Sequence, residues 1–282
     1  MVEVFFELDK EVVSFCESVF RRNRKMELNW KTNEDWGNHL TIDEILPAED
    51  LRKTISQAMA DVVLTHRLGN MIRKMIKEYY YTEQEEIERI HDLTNWILTG
   101  EDEDSKHLRN NKDIHGLLTN LFVENIEINS EIHFDSLVNF RLLPFRDEIR
   151  RCVGDAIDEF RREEDHQAFI DMLRAYIQKK DVGMEIIHIM QGDTFQFYYD
   201  NGKQLSRLEL RMLMREEPLY VVGLHDNEFN LAPLIAMGPK KIKIYGDDPS
   251  EPKTLTVINV FQEKVDFEPT RNFPFSYYLK ND

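Results

Sequence analysis

The sequence predicts an α+β fold, predominantly helical, with a helical central bundle, a small N-terminal αβ module and a C-terminal α/β part made of βαβ units. Three observations predict it. Apolar residues recur at helical spacing through the middle of the chain. After Lys180 the period becomes strand-like, and strand and helix signals then alternate. The opening residues read as strand, helix and hairpin. These changes of pattern place divisions at 1–45, 46–181 and 182–282.

Val2 to Leu8 sets aromatic and β-branched residues beside polar Glu3 and Glu7, as a strand does. Asp9 starts a helix through about Arg22, with Val12, Val13, Phe15, Cys16, Val19 and Phe20 as its apolar face. Lys25 to Asn33 and Trp36 to Ile42 alternate around Asn33-Glu34-Asp35-Trp36-Gly37 and read as a hairpin.

From Pro47 to about Tyr80 the pattern is helical, with Leu51, Ile55, Met59, Val62, Val63, Ile72, Met75, Ile76 and Tyr79 as the buried stripe. Gly69 bends this run or admits a neighbour. Thr82 and Glu85 stand at capping-box spacing before a helix to Leu98, which Gly100 ends. Glu101 to Lys106 reads as a solvated connector, followed by a helix from about Lys112 to Glu124.

The stretch from Phe134 to Lys180 organises the body as two consecutive amphipathic helices. The first carries Val138, Leu142, Phe145, Ile149, Val153, Ala156 and Phe160, and Pro144 suits its first turn, where a missing N–H costs nothing. A break near Arg161 to Asp165 follows, with Asp165 as N-cap of a second helix bearing Phe169, Ile170, Leu173 and Ile177. Phe140, Ile149, Val153, Phe160, Phe169 and Leu173 are expected to form one continuous seam. The arginines of this stretch pair along a solvated face with Glu148, Asp155, Asp158 and Glu159. Arg141, lodged between Phe140 and Leu142, is instead expected to be partly buried against an acidic neighbour.

Beyond Lys180, Met184 to Met190 and Phe195 to Tyr199 are strand-like, and Asp200-Asn201-Gly202 is a turn signal. A helix from Leu205 to Arg215 precedes a β-α-β-α series: a strand at Leu219 to Leu224, an Asn/Ala/Leu-rich helix, a strand at Lys241 to Gly246 and a helix through Phe261. Such alternation favours parallel pairing. Val265 to Phe267 adds a last strand, and the tail from Pro269 wraps the surface.

Asn139-Phe140-Arg141-Leu142, Arg146, Asp158-Glu159-Phe160 and Phe169 resemble the signature of the YtxC-like sporulation protein family. Tyr79-Tyr80-Tyr81 ahead of an acidic helix, and the Lys-Ile-Lys-Ile-Tyr strand before a helix ending Val260-Phe261-Gln262, resemble it as well. The resemblance covers most of the chain. It implies an association with endospore formation in Bacillus-type bacteria, and it implies no reaction or catalytic residue.

At 282 residues with 41% apolar content, the chain has enough material for a sizeable core. Its 53 acids against 36 bases give a formal charge of −17, which repels phosphate backbones and anionic membranes. Nucleic acid is not expected as a partner. Two cysteines, Cys16 and Cys152, both within helical apolar patterns, fit reduced thiols in a cytoplasmic protein. The acidic N-terminus lacks a charged leader before a long apolar run, and no stretch has the ~20 apolar residues needed to span a bilayer.

The candidate chemistry is limited. Glu88 with His91 and Glu163 with His166 form two Glu-x-x-His pairs, the spacing that di-iron helical bundles use, although chance and capping produce such pairs too. Beyond the expected strand ends stand His225, Asp226, Asn227, Asp247 and Asp248, suited to a cation, to acid–base work, or simply to caps and turns. Phosphate loops, nucleophile elbows and zinc motifs are lacking. The leading expectation is a non-enzymatic protein acting through contacts with an unidentified protein partner, without a cofactor. A metal-dependent enzyme is the competing class.

Overall fold

The computed structural model describes residues 2–33, 37–43, 47–127, 131–225 and 227–275. The chain forms two compact units, Met1–Arg162 and Glu163–Asp282.

The first unit opens with β1 (Val2–Phe6), α1 (Asp9–Arg22), β2 (Leu28–Asn33) and β3 (Gly37–Ile42). Alternation in β1 sends Val2, Val4 and Phe6 inward, and Phe6 packs on Phe15 of α1 with ring centroids 5.2 Å apart. The α1 stripe is narrower than its pattern suggests: Val12, Phe15 and Val19 are buried, whereas Val13 and Phe20 are exposed. The hairpin of β2 and β3 is antiparallel, and the Glu34, Asp35 and Trp36 of its expected turn lie outside the described residues.

Helix α2 (Ala48–Val62) passes through a π-helical turn, Val63–Arg67, into α3 (Leu68–Glu78). A Cβ at Gly69 would lie 3.4 Å from His91 Nε2 and 3.3 Å from the flexible end of Arg73, so packing there does not require a glycine. Helix α4 (Gln84–Thr99) begins two residues after Thr82, too late for that side chain to cap it. The connector expected at Glu101 to Lys106 is in fact part of a short helix, α5 (Glu103–Leu108). Asp102 caps it by accepting from the Ser105 N–H at 2.9 Å.

Helix α6 (Ile114–Asn125), β4 (Glu131–His133), α7 (Phe134–Phe140) and α8 (Leu143–Lys179) follow. The sheet order is β2-β3-β1-β4, with β4 parallel to β1. The N-terminal module therefore takes a strand from far beyond residue 45. Short-range pattern could not reveal that, because β4 has only one buried residue, Ile132.

Phe134 to Lys180 breaks at a different point from the one expected. Helix α8 is continuous through Arg161 to Asp165, where no glycine or proline interrupts it and Arg, Glu and Gln are good helix formers. The break falls at Arg141 and Leu142, because Pro144 has no N–H to donate to the Phe140 carbonyl. Residues 161–168 are all exposed, so the helix there is polar on every side. The expected continuous seam is divided: Ile149, Val153 and Phe160 belong to the first unit's core, and Ile170, Leu173 and Ile177 to the second unit's. Phe140 is not in either core, being 74% exposed, and Phe169 is half-buried.

The second unit contains β5 (Met184–Met190), β6 (Gln196–Tyr199), α9 (Arg207–Glu216), α10 (Ala232–Met237), β7 (Pro239–Gly246), α11 (Pro252–Phe261) and β8 (Val265–Pro269). Sheet order is β6-β5-β7-β8, with β5, β7 and β8 parallel and β6 antiparallel. Leu219–Val222, read as a strand, is a 3₁₀ turn between Pro218 and left-handed Gly223. Apolar and β-branched content alone could not distinguish the two. Helix α9 has a capping box, Ser206 with Glu209, and Glu209 is drawn down to about 2 by Lys203 and by the Ser206 N–H and hydroxyl.

On the sheet face away from the main core of this unit, His188 stacks on Tyr245 at 5.8 Å, beside Tyr198 and Phe273. Its Nδ1 lies 3.1 Å from the Tyr245 hydroxyl and its Nε2 3.4 Å from Asp200 Oδ1. Burial lowers the imidazole's pKa, which Asp200 and Glu268 raise only in part, while Lys243 adds to the lowering. Below about pH 6.5 the unfolded chain therefore binds this proton more readily than the native one, and stability is lost as pH falls. Denaturant melts at about pH 7.5 and about pH 5.5 should show this loss, and His188→Phe should flatten it.

Candidate binding groove

The first unit contains a groove of about 300 Å³ between α3, the end of α7 and the start of α8. Helical geometry builds it. Burying Leu68, Ile72, Met75 and Ile76 turns Asn70 and Lys74 outward on α3. On α8, burying Phe145, Ile149, Cys152 and Val153 brings Arg146 and Arg150 to the opposite wall. Met71, Met75 and Val138 supply apolar lining, and Asn139 closes one side.

The wall carries Arg67, Lys74, Arg146 and Arg150 against one acid, Glu78, in a chain of net charge −17. These cations are held unequally. Arg146 donates to the Val138 carbonyl at 3.0 Å, and Arg150 donates to Asp147 at 3.1 Å and lies 3.8 Å from Glu78. Among the described residues, the side chains of Lys74, Asn70 and Asn139 have no hydrogen bond or ion pair, and all three are exposed. The groove is thus a set of donors with uncommitted capacity.

Arg67 ties the groove to the core. It donates to Glu11 through two nitrogens, one of them at 2.7 Å, and to Asp135 Oδ1 at 2.6 Å. Glu11 is fully buried. The same π turn presents His66 to Ser14 Oγ at 2.7 Å. Nearby, Asp61 accepts from Ser18 at 2.5 Å and Arg22 at 2.8 Å, with His115 at 2.8 Å. Burial would raise the Asp61 carboxyl, but these partners outweigh it and hold it below the usual range. A hint of this network was present in the sequence: Glu11 lies four residues before Phe15, on the buried stripe of α1.

A larger cleft, about 740 Å³, lies at the carboxyl ends of β1 and β4. There the Phe5 ring stacks between His39 at 4.5 Å and His133 at 4.8 Å. Its polar groups are mostly committed, with His39 on Glu3 at 2.8 Å and Asp135 on Arg67.

Of the family-motif residues, Asn139 and Arg146 line the groove, Leu142 and Phe160 are buried, and Asp158 is exposed. Glu159 pairs with Arg162 at 2.5 Å. Arg141 is exposed at the end of α7, and no described carboxylate pairs with it. Arg151, half-buried, instead pairs within its own helix, donating to Glu148 at 2.6 Å and Asp155 at 2.7 Å. Cys152 beside it is buried and pushed up to about 11, an unreactive thiol.

The Glu-x-x-His residues are placed as follows. Glu88 is clamped by Arg73 at 3.0 and 2.8 Å. His91 is nearly buried, 3.3 Å from Asp92 Oδ1 and Asn95 Nδ2. Glu163 and His166 are on the exposed run of α8. Among the described residues, no group of three His, Cys, Asp or Glu is placed to hold a metal ion.

At the strand ends, Asp247 accepts from Thr270 at 2.9 Å, and Asp248 from the Ser250 hydroxyl at 2.6 Å. Gln191, overlooked in the sequence, clamps this turn by accepting from the Asp247 N–H at 3.0 Å and donating to Thr254 at 2.7 Å. Asp226 lies outside the described residues, and Asn227 does not cap α10. Glu228 holds the approach to α10, accepting from the N–H groups of Asn230, Leu231 and Ala232. The His225 carbonyl accepts from the Glu228 N–H at 3.1 Å.

The model of the YtxC-like family matches residues 53–266. A curated relative, "Uncharacterized protein YtxC" of Bacillus subtilis (strain 168), is 25% identical over 97% of this chain and 96% of its own length. No solved structure matches the chain.

Proposed function

We propose that this chain, which belongs to the YtxC-like family, is a cytoplasmic protein of sporulating Bacillus-type bacteria that acts through protein contacts and without catalysis. The groove of the first unit is its contact site. The observation that carries this reading is the uncommitted donor set of Lys74, Asn70 and Asn139 beside Arg146. A set dominated by donors suits the binding of anionic groups. The net charge of −17 weighs against nucleic acid, and no described helix is long and apolar enough to cross a membrane.

A photo-crosslinking residue at Asn139 tests the reading. In sporulating cells it should give one reproducible protein adduct that the same group at exposed Lys53, on α2, does not give. Equal adducts from both positions, or none from Asn139, would remove the groove as a contact site.

A further inference from the structure

We infer that the groove takes an acidic peptide segment of a partner protein, with carboxylates on the two cationic walls and an apolar side chain on the methionine floor. This rests on the reading of the groove as a protein-contact site. Asn70 and Lys74 on one wall, and Arg146 and Arg150 on the other, are each four residues apart, which spaces the donors along each helix by about 6 Å. Two rows at that spacing suit successive carboxylates of a polypeptide. A lone phosphate calls for donors converging on one point, usually backbone N–H groups at a helix start, and here the donors are side chains spread along α3 and α8 beside an apolar floor.

The floor supports the same conclusion. Met71 and Met75 are unbranched and adapt to whatever apolar side chain enters, as at other peptide-binding surfaces. Charge complementarity selects the partner: the rest of the chain is strongly acidic, so an acidic segment is repelled elsewhere and held at the groove, where the positive charges of Lys74 and Arg146 have no described carboxylate partner. A second copy of this chain is disfavoured as occupant by the −17 that each copy carries.

The test is fluorescence anisotropy with the full chain and a labelled synthetic peptide in which acidic residues flank a leucine. Saturable binding should weaken with salt and fall about tenfold or more in Lys74→Glu, an exposed position whose change leaves the fold intact. It should also fall when the peptide leucine becomes serine, a control that does not touch the protein. Equal binding of a peptide with lysine for each acid, displacement by inorganic phosphate, self-association through the groove, or no effect of Lys74→Glu would each overturn the inference. If the Asn139 adduct persists while acidic peptides fail to bind, the contact site stands and its assigned partner chemistry falls.

Discussion

Arg67→Met should destabilise the first unit by about 3 to 5 kcal/mol, the range for breaking a buried ion pair from one side. The size follows from what remains. Glu11 has no solvent access, and Arg67 supplies the charge-assisted hydrogen bonds that satisfy both its oxygens. Asp135, only 14% exposed, loses the same partner. Methionine restores much of the volume but none of the charge, so two carboxylates face each other unneutralised. Adding Glu11→Gln should recover a large part of the loss, because a neutral amide is far cheaper to bury than an unpaired carboxylate. Urea melts of the two single variants and the double variant form the cycle that checks this. Additive losses would mean that the two residues do not act as a pair.

Phe160→Ala should cost about 3 to 5 kcal/mol, against ~5 to 15 kcal/mol for a typical domain. Phe160 is 7% exposed and meets Tyr81 edge-on at 6.1 Å, so its removal leaves a cavity at the end of the first core. Arg162→Ala, two residues on, should change stability by no more than about 0.5 kcal/mol. Its pair with Glu159 is a surface i,i+3 contact of an arginine side chain 66% exposed. Equal, small shifts for both variants would show that Phe160 is not part of a packed core.

Much of the secondary structure was legible because local period and end signals agree. Asp9–Arg22 and Met184–Met190 have the bounds their patterns indicate. The readings went astray where local pattern underdetermines the outcome. Polar Arg161 to Asp165 looked like a break, but helix propensity and neighbouring turns carry α8 through it. At Leu219–Val222 the same apolar residues serve a strand or a tight turn, and the decision came from Pro218, Gly223 and the partners already taken by β5.

The candidate groove was less legible. Asn139 and Arg146 stood out through the family resemblance, yet Asn70, Lys74 and Arg150 are ordinary surface residues in the sequence. Only tertiary packing of α3 against α7 and α8 brings them to one cavity. For the Arg67–Glu11 pair the sequence held only half the signal, Glu11 on the buried stripe of α1, because its partner lies more than fifty residues away in the chain.

The place of β4 in the first sheet bears on how this protein is made. During synthesis β1 and β3 are available early, but the second edge of β1 stays bare until Glu131–His133 leaves the ribosome, after all of α2 to α6. A nascent chain stopped before that point presents an unpaired, apolar strand edge, the kind that recruits other strands. Its folding is therefore governed by a late, non-local closure, and fragments ending before Glu131 should partition to aggregates or chaperones even though they contain most of the helices of the unit.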